Sequence, residues 1–414
     1  MSPNPDAPRG EPHPRIDPAL VVILAGVAAA LHVGKLAPAI PALRDALHIS
    51  LVQAGFLLSL VQLAGMSAGL AFGAVADGLG PGRSMVLGLV LLGTASTAGG
   101  FATSAAALMI LRACEGFGFL LVVLPAPGLV RRLVDPLHVN RVLGLWGAYM
   151  PLATALALLA GPAWIGAFGW RSWWWLLAAC SFAMALWLAR ALPPLARGAA
   201  PAPWFERLRR TVSVPAPWLV ALCFAVYAGQ WLAVIGFLPS IYQRAGVPAA
   251  LSGPLTALAA AANIVGNVGA GRLLHRGHRP QRLLTIGFVA MALASAAAFA
   301  GDPGLPAWAR YVAVLGFSAI GGLIPTTLFS LAVRAAPGEE TLSTTIGWVQ
   351  QCSACGQFGG PPLVAWVASA SGSWQWTWVA TGACSLAGLG LVAAITRWLA
   401  TTPGVPAFRS SSRP

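Results

Sequence analysis

Twelve apolar stretches, each long enough to cross a bilayer, follow one another from about residue 18 to residue 400, and the basic residues fall almost entirely in every second gap between them. A hydrocarbon core roughly 30 Å thick takes about 20 apolar residues per helix, and helices satisfy every backbone polar group there. The pattern predicts an all-α membrane protein. Of the 414 residues, 57% are hydrophobic and 9% charged, which leaves too little polar surface to cover a water-soluble domain of this size. A formal charge of +14 raises the question of nucleic acid, and the positions of the basic residues answer it. With a cytoplasmic amino terminus, 19 of the 25 lie in cytoplasmic gaps and tails, Arg44, Arg171, Arg244 and Arg310 lie outside, and Lys35 and Arg112 lie within the membrane. The bias orients the chain in a cell inner (plasma) membrane with both termini cytoplasmic, and implies lipid rather than nucleic acid as the partner.

The expected spans are 18–40, 51–76, 83–104, 106–130, 142–167 and 173–192, then 217–239, 250–273, 283–301, 306–335, 341–370 and 375–399. This divides the chain into a cytoplasmic tail (1–17), a six-helix bundle (18–192), a cytoplasmic linker (193–216), a second six-helix bundle (217–400) and a second tail (401–414). The first 17 residues have no apolar core and do not read as a removable signal peptide. The linker is proline-rich and carries the amphipathic stretch from Trp204 to Arg210, which predicts a short interfacial helix with its arginines near anionic headgroups. All six cysteines fall within predicted spans, where they act as small apolar packers, and Cys352-x-x-Cys355 lacks the context of a redox or metal motif.

The two halves echo each other. Gly73 to Gly80 between spans 2 and 3 is matched by Gly271 to Gly277 between spans 8 and 9. Gly169-Trp170-Arg171-Ser-Trp173-Trp174-Trp175 between spans 5 and 6 is matched by Ser373-Trp374-Gln-Trp376-Thr-Trp378 between spans 11 and 12. The offsets, 198 and 204 residues, suggest duplication of a six-helix unit, and two pseudo-symmetric bundles with a shared interface are the architecture of alternating access. The tryptophans are expected at headgroup level, anchoring the outer ends.

These residues resemble the major facilitator superfamily. Gly73, Asp77 and Gly80 match its cytoplasmic hairpin signature, with Gly78 where arginine is usual and a single late Arg83. Arg112-Ala-Cys-Glu115-Gly116-Phe-Gly118 is similar to its R-x-x-x-G-x-G signature. A narrower resemblance, to the cyanate and 2-nitroimidazole transporter branch, rests on Gly34-Lys35-Leu-Ala-Pro38-Ala-Ile-Pro41, Leu145-Trp146-Gly-Ala-Tyr149-Met150-Pro151 and Gly356-Gln357-Phe-Gly359-Gly360-Pro361-Pro362. Many members of that branch carry arginine where Lys35 stands, so an attraction for anions is kept and a bidentate fork is lost. The resemblance implies that Asp77 holds the inner gate with an arginine such as Arg131 or Arg132, or with the positive amino-terminal end of helix 11.

Lys35 is the only lysine in the chain. A charge inside a membrane costs roughly 2.5 kcal/mol or more, which makes Lys35 and Arg112 functional candidates, alternatively a snorkelling side chain and half of an intrahelical ion pair. Glu115, the one carboxylate expected deep in a span, stands at i, i+3 from Arg112 and is a candidate proton carrier. His32, three residues before Lys35, is a second proton group or a packing residue. The second half offers amides instead, and Gln230, Asn263 and Gln351 are expected to face the solute, with Trp146, Tyr149 and Trp231 as stacking surfaces. No nucleophile with its base, metal cluster or cofactor motif is visible, so the chain is not read as an enzyme. The resulting expectation is a secondary transporter, monomeric, that moves a small organic or inorganic anion or nitrogen heterocycle by alternating access, coupled to protons. The alternative is a multidrug/proton antiporter exporting lipophilic compounds, although the glycine-rich helix 5 signature of that class is reduced to Gly161-Pro162.

Overall fold

A computed structural model describes residues 17–67, 80–135, 142, 145–192, 204–300, 305–338 and 341–401. The described residues form helices joined by short turns. Eight helical stretches are long and apolar enough to cross a membrane, and Tyr149–Ala191 holds two spans. Its 43 residues are divided at Gly169, whose φ of +79° reverses the chain where a side chain would be strained. Span 2 is described over Leu51–Ser67, while Pro81–Gly100 and Leu342–Ala370 form spans 3 and 11. The architecture is that of twelve transmembrane helices in two six-helix bundles. The hairpin that carries Asp77, nearly all of both tails and residues 193–203 of the linker lie outside the described residues, but the linker's short helix is present at Trp204–Val212.

Local chemistry sets the helix ends. Asp17 caps the first helix through Ala19 N–H with Pro18 in its first turn, and Ser50 forms a capping box with Gln53 at the start of span 2. Span 1 runs on to Leu47, beyond the expected 40, because the segment after Lys35 continues as the helix Leu36–Leu47. The seam falls at Lys35, three residues before Pro38, whose ring has no N–H to offer the carbonyl of Gly34.

Close packing relies on small residues, as expected where lipid supplies no hydrophobic drive between helices. A Cβ at Gly116 would lie 2.5 Å from the carbonyl oxygen of Val61, and one at Gly118 would lie 2.8 Å from that of Gly88. The two glycines of the R-x-x-x-G-x-G stretch thus press span 4 onto spans 2 and 3 at once. The second bundle repeats the device: a Cβ at Gly322 would fall 2.3 Å from the carbonyl oxygen of Asn263. Gly116 and Gly322 are 206 residues apart, and Val61 and Asn263 are 202 apart, so the duplication seen in the loops extends into the packing.

The bundles meet along spans 2 and 11, where Gly55 sits on Pro361 and Pro362 and Gln62 donates to Gln357 Oε1 at 3.1 Å. Spans 1, 5, 7 and 8 complete the contact, with Leu58 over Gly236 and Leu158 beside Gly253. At the tryptophan-rich end each cluster is part exposed and part buried. Trp175, Trp376 and Trp378 are exposed, but Trp170, Trp173, Trp174 and Trp374 are buried. Successive residues of a helix cannot all face outward, and the inward rings fill the bundle ends, with Trp374 against Phe237.

Candidate functional site

Six polar side chains from four spans converge inside the first bundle. Lys35 is fully buried, and its ammonium donates to Glu115 Oε1, to Ser96 Oγ at 2.9 Å and to His32 Nδ1 at 3.3 Å. It also lies 4.7 Å from the ring centre of Trp174. Arg112, equally buried, donates through Nη1 to Glu115 Oε2 at 2.5 Å and to the carbonyl of His32 at 2.6 Å, and through Nε to the carbonyl of Leu57 at 3.2 Å. Glu115 is therefore bridged between two cations, one oxygen each. His32 Nε2 lies 2.7 Å from Ser181 Oγ.

The proton positions follow from the inventory of donors. An ammonium can only donate, so Nδ1 of His32 is the acceptor and the ring proton sits on Nε2, directed at Ser181. His32 is then neutral, and the cluster of Lys35, Arg112 and Glu115 carries one positive charge in excess. Arg112 Nη2 is buried without a partner among the described residues. A buried charge left uncompensated is costly by several kcal/mol, whereas a bridged carboxylate is tolerated.

In this structure Lys35 does not snorkel, and it does not stand opposite Arg112 across an open path. It anchors Glu115 within the bundle, with Ser96 in turn donating to the carbonyl of Trp174 at 2.8 Å. The i, i+3 contacts of Arg112 with Glu115 and of His32 with Lys35 are the two in the cluster that helical spacing predicts. Ser96, Ser181 and Trp174 carry no sequence signal, because an isolated serine or tryptophan in an apolar span looks the same whether or not it meets a charge.

The remaining residues divide into three groups. Trp146 and Tyr149 stack on each other, with ring centres 4.4 Å apart and planes 20° apart, and Trp146 covers Gly26 of span 1. In the second bundle, Trp231 Nε1 donates to Ser318 Oγ at 3.1 Å, and Asn263 Nδ2 donates to the carbonyl of Ser318 at 3.0 Å and to Tyr227 Oη at 2.9 Å. Gln351 crosses the interface to the carbonyl of Met66 at 2.9 Å. Gln230 differs from expectation. It turns into the second bundle, where its Oε1 accepts from Ser385 of span 12 at 3.1 Å. Arg131 and Arg132 are exposed in the last turn of Ala126–Leu133, where a helix carboxyl end favours cations, and Asp77 lies outside the described residues.

The repeat identifies what stands opposite each charged residue. The counterparts of His32, Lys35, Arg112, Glu115 and Ser181, at offsets of 198, 206 and 204 for spans 1, 4 and 6, are Gln230, Ala233, Ser318, Gly321 and Ser385. Met291 packs over Gly321, where the first bundle has its carboxylate. One bundle thus builds with neutral side chains the interior that the other builds around three charges.

A family model described as Major Facilitator Superfamily matches residues 20–345. Among curated proteins, the chain is 27% identical over 164 residues to the tetracenomycin C resistance and export protein of Streptomyces glaucescens; the match spans 40% of this chain and 30% of that protein's length. Among solved structures, it is similar to a bacterial homolog of the human lysosomal transporter Spinster, in its inward-facing unoccupied and occupied conformations. Both give a TM-score of 0.76, at 16% and 17% identity, over 94% and 93% of this chain and 98% of that one.

Proposed function

Because this chain belongs to the major facilitator superfamily, and so is a transporter of the alternating-access type, we propose that it moves a small anion together with protons. Arg112 is the cation that meets the solute in this reading, Glu115 and His32 are the proton-bearing groups, and Lys35 holds Glu115 in place. The observation that carries the reading is the excess positive charge of a fully buried cluster with Arg112 Nη2 unpartnered.

The second bundle strengthens the case. Replacing a buried ion pair by packed neutral groups is often neutral or stabilising, and this fold places Ala233, Ser318 and Gly321 at the matching positions. Charges at the matching place in the first bundle are thus not a requirement of the architecture, which supports a role in function.

The coupling follows from competition. An anion at Arg112 draws the guanidinium from Glu115, and a carboxylate that loses a cation partner is free to accept a proton. Trp146 and Tyr149 offer a ring face for a planar anion or a nitrogen heterocycle, as in the cyanate and 2-nitroimidazole branch, while Trp231, Asn263 and Gln351 form the neutral wall. Gln230 joins that wall only if its bond to Ser385 opens. Asp77 with Arg131 or Arg132 closes the inner gate, at the cytoplasmic face of an inner membrane, in a monomer divided at the linker 193–216.

The test is thermal unfolding of the detergent-purified protein against a panel of small inorganic and carboxylate anions, since a ligand of the folded state raises Tm. Arg112→Lys keeps the charge and removes Nη2. A stabilising anion whose effect is lost in Arg112→Lys supports the site, and an effect of equal size in both proteins removes it. A second reading, export of lipophilic compounds, is favoured by the similarity to the tetracenomycin C exporter. It gains first place if only lipophilic compounds stabilise the protein.

A further inference from the structure

The short helix Trp204–Val212 packs against span 11, and this junction collects polar groups without partners. Thr211 and Thr345 are fully buried, and the hydroxyl of each has no hydrogen-bond partner among the described residues. Arg207 Nε and Trp348 Nε1 are buried atoms in the same condition. Arg207 and Thr211 stand at i, i+4 on one face of the short helix, and Thr345 and Trp348 at i, i+3 on one face of span 11.

The two faces are tied together at their ends. Trp218 donates to the carbonyl of Val212 at 2.9 Å, and its ring meets that of Trp348 edge-on at 4.7 Å. The residue after Thr211 is therefore fixed beside Trp348. Span 11 also begins here, with Thr341 as its N-cap and no side chain bonded to its first-turn N–H groups. Thr341 Oγ1 is bonded to Gly338 instead.

Guanidinium and indole can only donate, hydroxyls can donate, and a helix amino end presents N–H groups and partial positive charge. Glu206 is committed to Arg210 at 2.6 Å, so it does not serve Arg207. Glu339 and Glu340 precede Thr341 in the sequence and lie outside the described residues. These four buried polar atoms, two on each of the packed helices, have no hydrogen-bond partner among the described residues.

We propose that the junction of the linker helix with the start of span 11 binds a phosphate group, held by Arg207, Thr211, Thr345 and Trp348. The source is the phosphodiester of an anionic membrane lipid or free phosphate, which share this chemistry. The consequence is mechanical. Span 11 carries Gln351 and Gln357 to the first bundle, so an anion at its base joins the linker to a helix of the bundle interface.

The experiment measures unfolding of the full chain in phosphatidylcholine nanodiscs, with phosphatidylglycerol added in one arm and inorganic phosphate in another. Arg207→Gln and the near-isosteric Thr345→Val are compared with Arg209→Gln, which alters an exposed arginine on the same helix. The expected result is a rise in Tm with one of the two probes that is abolished in Thr345→Val and Arg207→Gln and kept in Arg209→Gln. Phosphatidylglycerol as the effective probe identifies lipid, and inorganic phosphate identifies the free anion. A shift with neither probe, or one of equal size in all variants, overturns the proposal. None of these residues touches Arg112 or Glu115, so this result and the test of the transport site fail or succeed separately.

Discussion

His32 and Gln230, 198 residues apart, make the same contact in the two bundles: His32 bonds Ser181 and Gln230 bonds Ser385, and those two serines are 204 apart. The repeat has kept a polar link between the first and sixth helix of each bundle while placing charge beside it in only one. From this relationship follows the first prediction. Glu115→Gln leaves Lys35 and Arg112 without their shared carboxylate, and is expected to cost about 3–5 kcal/mol. Lys35→Met combined with Glu115→Gln, which removes one charge of each sign, is expected to be the more stable protein. Thermal unfolding of the two variants checks the order, and the reverse order would mean that the pair is not coupled.

Glycine contacts give the second prediction. Gly116→Ala and Gly322→Ala each drive a methyl group into a backbone carbonyl, at 2.5 and 2.3 Å, and should destabilise by about 1–3 kcal/mol. Gly128→Ala and Gly359→Ala meet nothing within 4 Å and are expected to unfold like the parent. Equal losses at all four positions would contradict the close approach of spans 2, 4, 8 and 10.

The third concerns the bundle interface. Gln62 to Gln357 and Gln351 to the Met66 carbonyl cross it, and intramembrane hydrogen bonds average about 0.6 kcal/mol. Gln357→Leu should therefore shift the populations of the transport conformations by roughly threefold, read as distances between spin labels on the two bundles. An unchanged distance distribution would show that the bond persists through the cycle.

Hydropathy and the alternation of basic gaps made the spans legible, because lipid imposes length and orientation on every helix. The loop echoes at Trp170 and Trp374 made the duplication legible as well. Within the site, only Arg112 to Glu115 and His32 to Lys35 could be read, since i, i+3 spacing is a property of one helix. Lys35 to Glu115 joins spans 1 and 4, and the inward turn of Gln230 depends on Ser385 at the far end of the chain. Rotation of each helix about its axis sets such contacts, and an apolar span without a strong amphipathic pattern leaves that rotation open. The seam at Lys35 lengthened span 1 because proline breaks one hydrogen bond without ending the helix.

The most direct measurement is proton movement in proteoliposomes loaded with a pH-sensitive dye and exposed to gradients of anions that stabilise the purified protein. Parent protein should acidify or alkalinise the lumen in the direction of the anion gradient, while Glu115→Gln should retain anion exchange and lose the pH signal. A pH signal of undiminished size in Glu115→Gln would contradict proton coupling through this cluster.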